Sequence, residues 1–197
     1  MQYKSEQEII SKSISLIQAS KAGLEKESPK VDFKLKWYSL RTKYGRNEIA
    51  RDMASIANTV GLDGYIIIGF DENNKNSQNA PFNDCGLNDT ADITNVLIGK
   101  LSHLFQFQIV GFNYEEIEYS VIHIPPTFNK PIVIPKYLKY KPNDELIREY
   151  KQQIFLRNNT STIVASKYDI DFMYYDNKNI TQYANLNHLP YRANEQN

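Results

Sequence analysis

The chain has 197 residues, of which 41% are hydrophobic and 23% are charged, and this predicts a soluble globular domain with its own core. Its formal net charge is zero, which excludes attraction to nucleic acid through overall basicity. The single cysteine excludes an internal disulfide, and with only three histidines a Cys/His zinc site is not expected. No signal-peptide core and no apolar run of roughly 20 residues is present, so we expect a cytoplasmic protein without membrane contacts.

A helix and a strand are predicted at the start of the chain. Ser5 and Glu8 form a capping-box pattern, which predicts a helix that ends near Gly23. Residues 31–37 alternate between apolar and charged side chains, as a half-buried strand does. The charged face of that strand carries Asp32, Lys34 and Lys36.

The middle of the chain is predicted to contain further helices, a buried strand and a long loop. Asn47 is expected to cap a helix that ends at Gly61, and residues 65–70 are expected to form an apolar strand that ends at Asp71. Residues 71–89, rich in Asn and Asp, read as a loop. The further predicted elements are a helix from about Asp89, a hairpin of strands at 107–114 and 116–124, and short strands at 131–134 and 153–157.

The C-terminal part is predicted to contain one more helix followed by a tail. Ser166 and Asp169 form a capping signal for a helix through about Tyr175. Residues 176–197 are polar and are expected to form a loose tail after a domain that spans 1–175. Because helices and strands interleave, we predict an α+β fold, α/β-like in its order, with a mixed sheet flanked by helices.

Three carboxylates and one lysine suggest a catalytic site. Neighbouring strands are expected to bring Glu27, Asp32 and Asp71 together at one sheet edge, beside Lys34. Carboxylates that hold Mg²⁺ or Mn²⁺, with a lysine directed at the phosphate, are groups that phosphodiester hydrolysis uses. The three acids are therefore candidate metal ligands and catalytic residues, and Lys34 is a candidate catalytic residue that contacts the phosphate. The alternative is that Asp71 is a turn residue and that Asp32 and Lys34 lie on the solvent-exposed face of a strand.

A local excess of positive charge surrounds these acids. Between Lys21 and Arg51 there are nine Lys/Arg residues and four Asp/Glu residues. Such a stretch can follow a phosphate backbone through release of counterions. The candidate nucleic-acid-binding residues are Lys36, Arg41, Lys43, Arg46 and Arg157. For Arg157, a structural salt bridge is an equal alternative.

Several runs of residues resemble the Schlafen AlbA-like domain family. Residues 27–34 read Glu-Ser-Pro-Lys-Val-Asp-Phe-Lys, which resembles the family's opening Glu-Ser-x-x-x-Glu-Phe-Lys signature. Residues 48–59 and 64–71 resemble its central helix and the strand that ends in Gly-x-Asp. Lys-Pro at 130–131 and Phe-Leu-Arg-Asn-Asn-Thr-Ser-Thr at 155–162 match its later pattern. The resemblance covers about residues 20–175.

The resemblance implies a nucleic-acid function. Some vertebrate members are endoribonucleases that act on tRNA and rRNA, and many bacterial members are described as DNA-binding, transcriptional or ATP-binding proteins. By motif position the family's three catalytic carboxylates fall on Glu27, Asp32 and Asp71, where Asp32 is one methylene shorter than the family's Glu. The vertebrate zinc site has no counterpart in this one-cysteine chain. Since vertebrate members pair two related lobes around a groove, we expect this single copy to form a homodimer.

The leading hypothesis is a metal-dependent endoribonuclease of Schlafen type that acts on structured RNA such as tRNA, with RNA favoured over DNA and Mg²⁺ or Mn²⁺ as cofactor. One alternative is a non-catalytic DNA/RNA-binding regulatory module. Another is a nucleotide-sensing domain with its pocket at the end of the strand before Asp71, which net neutrality favours. A restriction-type nuclease is less well supported, because its first acid normally lies on a separate upstream strand and Glu27 is only five residues before Asp32.

Overall fold

The predicted α+β fold, with a mixed sheet and flanking helices, is confirmed by the computed structural model, which describes residues 4–24 and 28–186 and only the backbone of 180–186. The helices are α1 (Glu6–Lys21), α2 (Lys43–Asn58), α3 (Ala91–Ile98) and α4 (Lys167–Leu186). The strands are β1 (Val31–Lys34), β2 (Gly64–Ile68), β3 (Phe70–Asp71), β4 (Asn76–Ser77), β5 (Gln108–Tyr114), β6 (Ile117–Ile124), β7 (Ile134–Tyr140), β8 (Leu146–Gln153), β9 (Phe155–Asn158) and β10 (Ser161–Val164).

The central sheet has four strands in the order β1-β2-β6-β5. β1 runs parallel to β2, while β2 pairs antiparallel with β6 and β6 antiparallel with β5, so the sheet is mixed. β2 is apolar throughout and buried along its whole length, as expected for a strand with a partner on each side and helices on both faces. The predicted hairpin is confirmed as β5 and β6.

The two faces of the sheet are covered by different helices, and the alternation of side chains along β2 divides the core between them. Tyr65 and Ile67 belong to the cluster that contains the apolar residues of α1, whereas Ile66 and Ile68 belong to the cluster that contains those of α2 and α3. Burying a side chain of this size stabilises the fold by roughly 1.5–3 kcal/mol. The sheet therefore holds α1 and α2 on opposite sides.

The first helix agrees with its prediction. The Ser5 hydroxyl accepts a hydrogen bond from the Glu8 amide at 3.3 Å, and the Glu8 carboxylate accepts one from the Ser5 amide at 2.7 Å. The helix ends at Lys21, and Gly23 follows with φ of 71°. This left-handed conformation favours glycine and ends the helix where the sequence indicated.

The strand predicted over 31–37 is shorter than expected. β1 ends at Lys34, the chain bends at 35–36, and Trp37 packs in the α2 cluster rather than beside Phe33. The Trp37 indole donates to the Ala80 carbonyl at 3.1 Å. On the face that carries Asp32, this residue is only 1% exposed, whereas the side chain of Lys34 is 32% exposed.

The predicted start of α2 is wrong. Thr42 caps the helix, since its hydroxyl accepts from the Gly45 amide at 3.0 Å. A Cβ atom at Gly45 would lie 2.1 Å from the Ser39 carbonyl oxygen, so this first turn requires glycine. Asn47 is buried inside the helix and donates to the Leu138 carbonyl. The helix also ends at Asn58, before Gly61, because the following residue is extended.

The segment after β2 is more ordered than the predicted loop over 71–89. Gly69 has φ of 110°, and a Cβ there would lie 2.9 Å from the Gln78 carbonyl oxygen and from the Tyr119 ring. This turn leads into a small hairpin of β3 and β4, followed by a 3₁₀ turn at Phe82–Cys85. The hairpin takes Asp71 out of the central sheet.

A long hairpin of β7 and β8 was not predicted. Only Ile134 of the strand predicted at 131–134 lies in β7, while the strand predicted at 153–157 is found as β9, paired with β10. β7 pairs antiparallel with β8, and we call this pair the β7–β8 ribbon. The sequence does not indicate this ribbon, because prolines lie in and before β7 and β8 carries several charges.

The last helix starts as predicted and runs further. The Ser166 amide donates to the Asp169 carboxylate at 2.8 Å, which confirms the cap. α4 continues to Leu186, past the end predicted near Tyr175, and Asp176 and Asn177 both contact Lys130. The division into a domain and a tail stays a prediction, and 187–197 lie outside the described residues. Among the helices that the structure describes, none has the length and apolar character needed to span a bilayer.

Candidate nucleic-acid interface and ion-pair network

Asp32 lies at the centre of a buried set of ion pairs. Its side chain projects from β1, opposite Ile66 of β2, towards α2. One carboxylate oxygen is 3.0 Å from Nη1 of Arg157, and the other is 2.6 Å from Nζ of Lys34. Arg157 comes from β9 and is 4% exposed. Both oxygens of Asp32 are therefore neutralised by cations of the same chain.

The ion pairs continue from Lys34 into α2. Nζ of Lys34 is 3.7 Å from an Asp52 oxygen, and the other Asp52 oxygen is 2.9 Å from Nη2 of Arg51. Arg51 also pairs with Glu48 at 2.8 Å, and the Tyr38 hydroxyl donates to Asp52 at 2.9 Å. We call Asp32, Lys34, Glu48, Arg51, Asp52 and Arg157 the ion-pair network. Three acids and three bases balance, which a buried charged group requires.

The environment of the network shifts the pKa values of Asp52 and Glu48 and of the neighbouring Tyr38. Burial alone would raise the pKa of Asp52, but the charges of Arg51 and Lys34 and the Tyr38 hydrogen bond outweigh it and hold this pKa below its usual value. Burial raises the pKa of Tyr38, which keeps this phenol a hydrogen-bond donor. Burial also raises the pKa of Glu48. Glu48 is thus more easily protonated than an exposed glutamate.

The exposure of the network differs between its members. The side chains of Lys34, Arg51 and Glu48 are 32%, 26% and 17% exposed, whereas those of Asp32 and Asp52 are almost fully buried. Lys34 is therefore more accessible than either aspartate. The arrangement presents a cation at the surface and keeps its anionic partners behind it.

Asp71 has a different role in the structure from Asp32. Its carboxylate accepts hydrogen bonds from the Asn73 amide at 2.9 Å, the Asn74 amide at 3.3 Å and the Asn74 side chain at 2.6 Å. The hydrogen bond from the Asn74 side chain, helped by the two backbone amides, lowers the pKa of Asp71. These contacts are those of a turn residue at the start of the β3–β4 hairpin.

Two of the three predicted ligands of Mg²⁺ or Mn²⁺ form polar contacts with other groups of the chain. Over residues 4–24 and 28–186, no group of three or more His, Cys, Asp or Glu side chains is arranged to hold a metal ion. Both oxygens of Asp32 are in ion pairs, and those of Asp71 bond to its own turn. Glu27, the third predicted ligand, lies outside the described residues.

The predicted phosphate-binding cations lie largely on the surface. Residues 33–47, which we call the basic segment, contain five Lys/Arg residues and no Asp/Glu. Four of these cations are exposed, and none of the four forms a salt bridge within the part of the chain that the structure describes. The four are Lys36, Arg41, Lys43 and Arg46.

Two of these arginines are held in place by the main chain. Nε of Arg41 donates to the Gly86 carbonyl at 3.2 Å, and Nε of Arg46 donates to the Leu40 carbonyl at 2.6 Å. Each guanidinium has four further N–H donors. Arg157, by contrast, is buried against Asp32, in agreement with the salt-bridge alternative.

Sequence reasoning missed the residues that connect these parts. It did not single out Glu48, Arg51 and Asp52, although Glu48 and Arg51 have the i,i+3 spacing of an ion pair. The Asn58 side chain donates to the carbonyls of Ile132 and Phe155, each at 2.9 Å. The sequence feature that could have indicated Asn58 is its position in the Ala-Asn-Thr run at 57–59, within the segment that resembles the family's central helix.

Thr59, the last residue of this run, holds β9 against the end of α2. Its hydroxyl donates to the Ser55 carbonyl at 2.7 Å and accepts from the Arg157 backbone amide at 2.9 Å. The run therefore places Arg157 beside Asp32.

Comparison with protein families agrees with the fold and the motifs. The profile described as Schlafen, AlbA_2 matches residues 27–166, and the chain belongs to the Schlafen AlbA_2 family. Membership of this family suggests a nucleic-acid-related function. No curated protein matches the chain.

A solved structure shares the fold. It is the crystal structure of the DIP2311 protein from Corynebacterium diphtheriae, which superposes with a TM-score of 0.51 at 14% sequence identity. The match covers 84% of this chain and 33% of the other, so the chain spans about a third of the length of that protein. At this identity the likeness concerns the fold.

Proposed function

We propose that the protein binds nucleic acid through the basic segment, with structured RNA such as tRNA favoured over DNA. The observation that carries this proposal is the row of four exposed cations at Lys36, Arg41, Lys43 and Arg46, with no acid between them in the sequence. Because the whole chain is neutral, such a row concentrates positive potential on one part of the surface. The preference for RNA rests on the family resemblance.

The ion-pair network supports a binding role. Asp32 and Asp52 hold Lys34 from behind, and β1 holds their register against β2. A cation fixed in this way loses little conformational freedom when a phosphate arrives. A regulatory module that binds without cleaving RNA needs nothing further from this site.

The test is the salt dependence of tRNA binding. Labelled tRNA is titrated with the protein at several salt concentrations and the anisotropy is recorded. Four phosphate contacts give a slope of log K against log salt of about −3, at roughly 0.7–0.9 per contact. A variant with Gln at positions 36, 41, 43 and 46 should lose that slope, and Lys12→Gln, an exposed α1 lysine, is the control. Equal binding by wild type and the fourfold variant would contradict the proposal.

A second candidate is metal-dependent endoribonuclease activity. Its support is the contact between Asp32 and the partly exposed Lys34. Both residues lie in the family match, which starts at residue 27. The residues that would hold Mg²⁺ or Mn²⁺ are Glu27, Asp32 and Asp71, and the metal would activate a water for attack on phosphorus. The ion pairs of Asp32 and the turn contacts of Asp71 make binding without cleavage the better-supported function.

Cleavage can be tested without disturbing the core. Incubation of a tRNA pool with Mn²⁺ should give fragments if the chain is a nuclease, and a chelator should abolish them. Asp71→Asn changes a half-buried turn residue and should remove the fragments while tRNA binding persists. Fragments that survive Asp71→Asn would point to a contaminating nuclease or to a different site.

We also propose that the chain forms a homodimer. The support is the resemblance to the Schlafen family alone, since its vertebrate members pair two related lobes around a basic groove. Light scattering at micromolar protein should give twice the chain mass of 22.9 kDa. A monomer at that concentration would contradict this proposal.

A further inference from the structure

The β7–β8 ribbon places like charges directly opposite each other. Its register pairs Lys136 with Lys151 and Lys139 with Arg148. Directly opposite side chains on an antiparallel pair lie about 4.5–5.5 Å apart at Cβ, and like charges there are destabilising. All four side chains are exposed, so packing does not explain their presence.

Compensation within the chain is incomplete. Lys136 pairs with Glu149 at 3.2 Å, and the guanidinium of Arg148 lies 5.2 Å from the Tyr150 ring centre. Across the ranges that the structure describes, Lys139, Arg148 and Lys151 form no salt bridge. Two repulsive pairs that persist on an exposed hairpin are best explained by an anionic partner.

The ribbon is joined to the basic segment. Asp144, in the turn of the ribbon, accepts hydrogen bonds from the backbone amides of Lys43 and Tyr44 at 3.2 and 2.8 Å. Further along, the Tyr137 hydroxyl lies 3.4 Å from a Glu48 oxygen of the ion-pair network. The turn of the ribbon therefore lies beside Lys43 at the start of α2.

We propose that the β7–β8 ribbon is the second half of an RNA-binding surface, which contacts the phosphate backbone through Lys139 and Arg148, opposite each other on one face of the ribbon. This inference rests on the proposed function, since the same RNA would contact the basic segment. Leu146 and Ile147, at the start of β8, are 50% and 51% exposed. Such apolar surface beside the cations suits the sugar and base faces of RNA better than free phosphate.

The charge reversal Lys139→Glu tests the ribbon with opposite effects on stability and on binding. It replaces a repulsive pair with an attractive pair opposite Arg148, so the melting temperature should rise by about 1–3 °C. For each phosphate that the variant no longer binds, tRNA affinity should fall by about sixfold at 0.1 M salt, and the salt slope should decrease by about 0.7–0.9. Lys12→Glu makes the same charge change on α1, across the sheet, and should do neither.

The outcomes separate this inference from the proposed function. If Lys139→Glu binds tRNA like Lys12→Glu while the fourfold basic-segment variant has lost binding, the ribbon does not bind RNA and the proposed function stands. If wild type does not bind tRNA at any salt concentration, both fail. Binding to vesicles with anionic lipids but not to tRNA would also overturn the inference, because it identifies a membrane surface as the partner.

Discussion

Replacing Asp32 with asparagine should lower the free energy of unfolding, because it leaves a buried arginine without its partner carboxylate. Asp32 and its partner Arg157 are 1% and 4% exposed, and a carboxylate oxygen of Asp32 lies 3.0 Å from Nη1 of Arg157. At an effective dielectric constant near 20, two unit charges at that distance attract by about 5 kcal/mol, and losing one partner of a buried pair costs about 3–5 kcal/mol. Domains of this kind have a free energy of unfolding of about 5–15 kcal/mol, so the Asp32→Asn variant should be only marginally stable.

Urea unfolding followed by circular dichroism measures this cost. Asp71→Asn is the control, because it makes the same chemical change at a turn carboxylate outside the buried pair and should cost less than Asp32→Asn. The double variant Asp32→Asn with Arg157→Gln should lose less than the sum of the two single variants, because it leaves no unpaired buried charge. A cost below about 1 kcal/mol for Asp32→Asn, or a gain in stability, would refute a structural role for this carboxylate and favour a metal ligand.

Three further predictions concern buried polar groups. Asn58→Ala leaves main-chain groups of two segments unsatisfied and should lower the free energy of unfolding by about 3 kcal/mol, measured in urea. Burial would raise the pKa of Asp63, but hydrogen bonds from His123 and Lys4 hold it at about 2. The ionised carboxylate therefore contributes about 1 kcal/mol of stability after solvent screening, which is present above pH 4 and is lost as the pH falls towards 2. In Asp63→Asn the free energy of unfolding should fall less between pH 4 and pH 2. Burial lowers the pKa of Lys30 to about 7, so the free energy of unfolding should rise from pH 7 to 10, and Lys30→Met should remove that rise.

The parts of the fold that the sequence predicted are those set by local patterns. The capping box at Ser5 and the hairpin of β5 and β6 depend on residues within a few positions of each other, and both are observed. The start of α2 was mispredicted because Gly45 weakens the helical signal. Its presence is explained by the close approach of Ser39, a contact that propensity does not reveal.

The candidate site depended more on distant contacts. The pairing of Asp32 with Lys34 follows from strand alternation, and their closeness was expected. Arg157, which binds the other Asp32 oxygen, is 125 positions away in the chain, and its strand is placed there by the Asn58 and Thr59 contacts and by packing of Phe155 in the α2 cluster. Without that partner, the sequence could not distinguish a buried structural carboxylate from a metal ligand.

The ability of the surface around the start of α2 to hold RNA is tested most directly by one titration. Fluorescent tRNA and the full chain are mixed across salt concentrations, with the fourfold Gln variant at Lys36, Arg41, Lys43 and Arg46 measured in parallel. The proposal predicts that affinity falls steeply as salt rises and that this dependence disappears in the variant. Affinity that is independent of salt, or the same in both proteins, would contradict it.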